Sequence, residues 1–377
     1  MKIGFDGKRA VQNFTGLGNY SRYFADILCR FYPENEYVLY APKKRNNKRL
    51  DMLTEKYPQL HLTYPARSFW RKFSSLWRIF GITHQLEKEN ISIFHGLSNE
   101  LPLNIHKSDI KSIVTIHDLI FLRYPQYYHF IDRKIYTYKF RKACESADKI
   151  IAISECTKRD IIQYFHIPAD KIAVIYQGCD VSFTIPASEE KKREVRDKYQ
   201  LPEHYILNVG SIEERKNALL IVRTLPQLPK DIHFVIVGRR TPYTEKIERF
   251  VNEHNLTSRV HIIHSVPFGD LPAIYQSAEI FAYPSYYEGF GIPIIEALHS
   301  EIPVVAATGS CLEEAGGPDS IYVNPNNVDE ASRAFKEILS NPRRKKLMIE
   351  KGKEFIKRFS EKKQATQIID IYNSINE

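Results

Sequence analysis

Short β-branched or aromatic runs alternate with longer amphipathic stretches along nearly all 377 residues, and this alternation constrains the fold more than any other feature. It is the pattern of βα units wound around a parallel sheet. In the first half the expected strands are 2–6, 37–41, 61–65, 91–96, 112–118, 149–154 and 171–176. Helical patterns fill the gaps, as from Asn19 to Phe31 and from Asp132 to Ser146. The charge-rich stretch from Glu189 to His204 contains a proline and reads as an interdomain link plus a surface helix. The series then restarts with strands at 205–210, 233–238, 260–266, 280–285, 302–307 and 320–325. Two Rossmann-like, doubly wound α/β domains facing each other across a cleft form the economical architecture, with ligands at the C-terminal strand ends. The length agrees, at roughly 100–200 residues per domain.

Five scattered cysteines, Cys29, Cys144, Cys156, Cys179 and Cys311, include no C-x-x-C pair. They argue against a disulfide framework or structural zinc and for a reducing compartment. The segment MKIGFDGKRA reaches a charge at Asp6 before an apolar region can form, which reads against a signal peptide. No apolar run approaches the ~18 residues of a membrane span. The expected location is cytoplasmic, at most peripheral on the inner face of the cell membrane. Net charge is +9, and all the surplus lies early: residues 1–180 hold 28 Lys and Arg against 18 Asp and Glu. Such a field attracts nucleic acid, anionic headgroups or phosphorylated substrates.

The strongest chemical signal is P-S-Y-Y-E-G-F-G-I-P-I-I-E-A-L, beginning at Pro284 after an expected strand. Gly289 and Gly291 permit close backbone approach, and Pro293 suits a first helical turn. A glycine loop opening a helix after a strand presents unpaired N–H groups and a positive dipole end, which together form an anion site. Glu288 lies in the loop, and Glu296, eight residues on, can accept hydrogen bonds from a ribose diol. A glycine turn with a helix-start glutamate explains the same residues without a ligand.

The run E-G-F-G-I-P-I-I-E resembles the E-x7-E signature of retaining glycosyltransferases of family 4, which have the two-domain GT-B fold. Flanking L-P-A-I-Y-Q-S-A-E-I-F-A-Y-P-S and I-P-V-V-A-A look like the same family's consensus. The resemblance implies that Glu288 lies near the donor sugar, that the backbone of Gly289, Phe290, Gly291 and Ile292 contacts its hydroxyls and phosphate, and that Glu296 binds ribose. N-V-G-S-I-E-E-R-K-N, 208–217, occupies the place where the family keeps a pyrophosphate-binding lysine, here Lys216. Many members have Gly-Arg where this chain has Gly210-Ser211, and Arg215 is the compensating cation. T-G-L-G-N-Y, 15–20, brings Gly16 and Gly18 to a strand-to-helix turn; it is not G-x-G-x-x-G, which weighs against a nicotinamide site. V-T-I-H-D-L, 114–119, puts His117 and Asp118 at a strand end, and the family places this histidine against the donor sugar.

The resemblance further implies domains at 1–185 (acceptor side) and 200–355 (nucleotide-sugar side), with 356–377 carrying a helix back to the first. The expected reaction moves a hexose, mannose by the mannosyltransferase-like R-K-N and H-D-L variants, from a nucleotide-diphosphate sugar such as GDP-mannose to a glycan or lipid-linked acceptor in cell-surface polysaccharide synthesis. With no D-x-D triplet, metal and cofactor are both expected to be none, Lys216 and Arg215 stabilising the leaving diphosphate. His117 and Glu288 are the catalytic candidates. The rivals are another GT-B enzyme, such as a sugar-nucleotide epimerase or a phosphorylase, and a basic nucleic-acid-binding protein, for which aromatic–basic motifs are lacking outside 69–80.

That segment, F-W-R-K-F-S-S-L-W-R-I-F, reads as one helix. Its Phe69, Trp70, Phe73, Leu76, Trp77 and Phe80 cover a stripe roughly 120° wide, with Arg71, Ser75 and Arg78 off it. The stripe is either core or an interfacial face for an anionic membrane surface.

Overall fold

The computed structural model describes residues 1–376. It divides into two compact units, Met1–Gln177 with the chain from Phe359 onward, and Gly178–Arg358. Unit 1 holds a seven-stranded sheet, β1 (Lys2–Asp6), β2 (Glu36–Tyr40), β3 (Leu60–Thr63), β4 (Ile93–Gly96), β5 (Lys111–Ile116), β6 (Lys149–Ala152) and β7 (Ile172–Val174). Unit 2 holds six strands, β8 (His204–Val209), β9 (Ile232–Val237), β10 (Val260–Ile263), β11 (Ile280–Tyr283), β12 (Val304–Ala307) and β13 (Ile321–Val323). Every strand overlaps its expected run and every pairing is parallel.

The spatial orders are β3-β2-β1-β4-β5-β6-β7 and β10-β9-β8-β11-β12-β13. Both reverse direction beside their first strand, so each has one switch point, between β1 and β4 and between β8 and β11. In open sheets of this kind ligands bind at that point, outside the C-terminal strand ends. The strands read as near-continuous apolar runs because helices cover both faces of a parallel sheet. Phe5, Tyr37 and Ile93 are buried on one face of the first sheet, and Val38, Phe94 and Val114 on the other. Ile206, Phe234 and Ile280 lie at the heart of unit 2.

Two segments depart from their sequence reading. The charged stretch after Glu189 is a surface helix, Glu189–Tyr199, that belongs wholly to unit 2; Asp270 anchors it through Lys191 at 2.9 Å, Lys198 at 2.7 Å and Tyr199 at 2.8 Å. The 69–80 segment is not one helix. It forms helices Ser68–Lys72 and Ser74–Leu76 and then a π-turn, Trp77–Gly81. Arg78, expected on the polar side, is drawn inward: its guanidinium meets Asp6 and Glu100, each at 2.6 Å. Trp77 is core, donating Nε1–H to Gln85, and Trp70 packs over Gly81 with no room for a side chain there.

The helix Glu361–Asn376 lies in unit 1, where Ala365, Ile368, Ile369 and Tyr372 complete the core around Phe5 and Phe24. Arg30 pairs with Glu361 at 2.7 Å, and Tyr32 donates to Thr366 at 2.9 Å. Among the described residues no helix is long and apolar enough to cross a membrane. All five cysteines are buried, and none of them is in a disulfide.

Candidate active site

In unit 2 the predicted residues converge on the switch point. β8 ends at Val209, and Gly210 follows with φ of +146°, a conformation that L side chains rarely adopt. The chain then turns through Glu214–Lys216 into a helix at Ala218. The loop after β11 lies alongside: Tyr286 N–H donates to the Arg215 carbonyl at 2.9 Å, and Asn217 reaches the Pro284 carbonyl at 3.3 Å. These ties bring Arg215, Lys216 and Glu288 together.

Lys216 Nζ donates to Glu288 Oε1 at 3.0 Å and to the Tyr283 hydroxyl at 2.6 Å. Arg215 meets Glu288 Oε2 at 2.8 Å and also donates to the Tyr287 carbonyl. All three charged side chains are largely buried. Burial alone would raise the Glu288 pKa, yet Arg215 and Lys216 hold it down at about 2, so the group is a carboxylate at any physiological pH. The same carboxylate keeps Lys216 charged despite burial, its pKa well above the usual lysine value. Tyr283, pushed up to about 12 by burial and by Glu288, stays a neutral donor.

Gly291, at φ of +123°, takes the N-cap position of the helix Ile292–His299, and no side chain caps it. A Cβ there would also meet Leu312 at 3.1 Å. Cys311 Sγ bonds the carbonyls of Glu288 and Phe290, holding the Glu288-to-Gly291 loop from behind. One turn into the helix, Glu296 Oε2 accepts from the Tyr275 hydroxyl at 2.7 Å. Burial lifts the Glu296 pKa to about 7, against the Tyr275 hydrogen bond that lowers it.

Unit 1 gathers the other candidates near its own switch point. His117 follows β5, and its Nε2 lies 2.8 Å from the Leu97 carbonyl, an acceptor only, so Nε2 carries the proton. Nδ1 then accepts from the Gln177 amide at 3.2 Å. The His117 N–H donates to Asn99 at 2.7 Å, and its carbonyl accepts from Thr157 at 3.3 Å. Burial lowers the imidazole pKa to about 4. His117 is thus a neutral ring of fixed tautomer with both nitrogens engaged. Asp118 accepts from the Ile120 N–H at 3.2 Å.

The two glycines of the 15–20 turn differ. Gly18 is packed against the Asn13 carbonyl, 1.9 Å from any Cβ built on it, and its N–H bonds the Asn13 side chain at 3.3 Å. Gly16 is exposed, with nothing within 4 Å of such a Cβ. Sequence reasoning did not single out Tyr283, Tyr275, Asn99 or Gln177. The two tyrosines lay inside consensus strings already quoted, but only the fold shows their hydroxyls aimed at Glu288 and Glu296.

Two parallel-sheet units, the second with cations, a carboxylate and a glycine-opened helix at its switch point, fit one class of protein, the glycosyltransferases. Residues 16–183 match the family described as Glycosyltransferase Family 4 and residues 188–358 that described as Glycosyl transferases group 1, and the chain belongs to this family. It is 30% identical over 331 residues to the O-antigen chain mannosyltransferase B of Escherichia coli, covering 86% of this chain and 81% of that one. O-antigen chain mannosyltransferase RfbU of Salmonella typhimurium is 28% identical, with 61% of each chain covered. The match to the serotype-specific mannosyltransferase WbdA of Escherichia coli, 29% identical, spans 32% of that longer protein. The fold matches a sucrose-phosphate synthase from Thermosynechococcus elongatus, TM-score 0.78 at 19% identity over 100% of this chain and 99% of that one. It also matches Anabaena HepE in complex with UDP and glucose, TM-score 0.76 at 17% identity over 99% and 100%.

Proposed function

We propose that the chain transfers mannose from GDP-mannose, with retention of configuration and without a metal, to a glycan or lipid-linked acceptor in cell-surface polysaccharide synthesis. The observation that carries the reading is the Arg215–Lys216–Glu288 cluster, set beside a helix N-terminus at the switch point of unit 2. Relatives named as O-antigen mannosyltransferases support the sugar and the polymer.

In this reading the donor diphosphate meets Lys216, Arg215 and the backbone around Gly289, Phe290, Gly291 and Ile292, as the charge of the departing nucleotide diphosphate builds. Glu288 holds both cations in place, and its carboxylate is assigned to a donor-sugar hydroxyl. Glu296 takes the ribose diol. His117 acts by position: its ring stands at the strand end, uncharged near neutral pH and held by both nitrogens. Same-face attack, in which the leaving phosphate takes the acceptor proton, needs no protein nucleophile and suits a Glu288 already engaged by two cations.

A thermal-shift panel of GDP, UDP, ADP and their sugars tests the donor. A ligand present at 100 times its Kd adds about 2.7 kcal/mol of stability. Stabilisation by GDP and GDP-mannose above the other bases is expected, and preference for UDP or ADP would overturn the donor assignment.

A further inference from the structure

Unit 1 carries an apolar face that the chemistry above does not use. Eight of the thirteen large hydrophobic side chains exposed among the described residues belong to two segments: Phe69, Phe73, Leu76 and Phe80 in one, Phe130, Ile131, Ile135 and Tyr138 in the other. Ile131, Ile135 and Tyr138 share one side of the helix Phe130–Ser146 by their spacing. The two segments border a common groove of about 330 Å³, lined by Ile79, Leu101, Leu103, Ile135 and Tyr138 together with Lys134, Lys139 and Glu100, the acid being paired with Arg78 and Lys139. Leu103 N–H is bonded to the Ile79 carbonyl at 2.9 Å, which fixes the first segment along this groove.

The face is built rather than frayed. Beneath it Trp77 is core, Trp70 packs on Gly81, and Arg78 is tied to Asp6 and Glu100. Phe69 stands between Trp70 and Phe73, 5.0 Å from each ring centroid. Large apolar side chains exposed in such a concentration mark an interaction surface. Its charge says with what: residues 66–80 contain four Arg or Lys and no acid, and residues 129–142 contain five against Asp132 alone. Arg67, Arg71, Lys72 and Lys134 are exposed around the aromatic side chains, with Lys134 Nζ 5.5 Å from the Phe130 ring centroid.

We propose that this face docks on an anionic phospholipid bilayer, Phe69, Phe73, Phe80, Phe130 and Ile131 entering the headgroup–acyl boundary while Arg71 and Lys134 meet phosphates. Aromatic and aliphatic tips ringed by cations are what such an interface takes up, and each cation near it multiplies partitioning roughly fivefold. The surface would hold unit 1 at a membrane whatever the donor proves to be.

Flotation of the full chain with vesicles of phosphatidylcholine, alone or mixed with phosphatidylglycerol, tests the proposal. Binding to the mixed vesicles at low salt, release at high salt and little binding to phosphatidylcholine alone are expected. Phe69→Ser with Phe73→Ser and Phe80→Ser, and separately Phe130→Ser with Ile131→Ser, change exposed positions and should keep the parent melting temperature and nucleotide response. Each set should lower vesicle binding at least about tenfold. Arg71→Glu with Lys134→Glu should do the same and keep every apolar side chain. Absence of vesicle binding, binding indifferent to lipid charge, or variants that bind like the parent would overturn the proposal. A dimer of the parent that ignores vesicles and that the serine variants dissociate would also overturn it, making a second copy the occupant.

Discussion

Lys216 and Glu288, 72 residues apart, are joined by a 3.0 Å ion pair at the crossing of the β8 and β11 loops. Arg215 closes on the other carboxylate oxygen at 2.8 Å, so one anion balances two neighbouring cations. Under the proposed function, a diphosphate arriving there would meet cations already oriented. Breaking such a buried arrangement from one side is costly because it leaves charge uncompensated.

Glu288→Gln therefore destabilises the chain by about 3–5 kcal/mol, since Arg215 and Lys216 lose their counter-charge. The pH sign is definite. A carboxylate whose folded pKa, about 2, lies below its ordinary value of 4.5 contributes stability in full above pH 4.5 and loses it as pH falls from there towards 2. Melting temperatures measured across that window should fall more steeply for the parent than for the variant; equal slopes would remove Glu288 as the source.

Lys216→Ala leaves Glu288 its Arg215 partner, so the loss is chiefly one of function. A charged hydrogen bond to the leaving diphosphate is worth about 1.5–3 kcal/mol, which is at least about tenfold in turnover. Activity within about twofold of the parent would place the diphosphate on Arg215 instead.

Glu296 should make nucleotide binding depend on pH near neutrality. Its folded pKa of about 7 means that it is protonated at pH 6 and a carboxylate at pH 8, and the carboxylate accepts both diol hydroxyls. GDP affinity should rise across this interval in the parent, and Glu296→Gln should flatten that rise and weaken binding at pH 8. Tyr275→Phe, which removes the hydroxyl bonded to the carboxylate, should move the rise to higher pH. Identical titrations of parent and Glu296→Gln by calorimetry would assign the dependence to the phosphates alone.

Gly16 and Gly18 separate packing from ligand approach. Gly18→Ala pushes a methyl into the Asn13 carbonyl and should cost about 1–3 kcal/mol. Gly16→Ala meets nothing, so its stability should hold or rise by up to ~1 kcal/mol. If a phosphate or acceptor passes close to this turn, Gly16→Ala loses activity at an unchanged melting temperature. Full activity would leave the turn with a structural role only.

These contrasts mark what the sequence could carry. Strand runs were legible because helices cover both faces of each sheet, leaving Ile206, Phe234 and Ile280 inside continuous apolar stretches. Glu288 and Glu296 stood out in a local glycine-loop motif and Lys216 through the family resemblance, but the pairing of Lys216 with Glu288 did not, because 72 residues and a sheet crossover separate them. In the 69–80 segment an ideal helical wheel put Trp77 and Phe80 on one stripe, whereas the structure buries Trp77 and exposes Phe80. The reason is long-range: Asp6 and Glu100 pull Arg78 inward, and Trp70 packs against Gly81 where the π-turn runs into the next helix.

Long-range bonding also links the C-terminal helix to the His117 end of unit 1. The Tyr372 hydroxyl lies 2.8 Å from His95 Nδ1, His95 Nε2 lies 2.9 Å from Thr115 Oγ1, and the Tyr20 hydroxyl reaches the same Thr115 oxygen at 3.3 Å. The Tyr20 ring then stands edge-on to His117, centroids 4.7 Å apart. Every member is buried, and burial drops the His95 pKa to about 3, so the chain of bonds is neutral. Tyr372→Phe removes one hydroxyl and leaves His95 Nδ1 buried without its partner, at about 1–3 kcal/mol. Scanning calorimetry should show the melting of unit 1 lowered by several degrees, at about 2–4 °C per kcal/mol for a unit of this size. Because Lys216, Glu288 and Glu296 all lie in unit 2, GDP affinity should stay within about twofold of the parent. Turnover should fall if the network holds the His117 ring in place. A Tyr372→Phe protein with lowered stability but parental turnover would show that the C-terminal helix supports the core of unit 1 without reaching the chemistry.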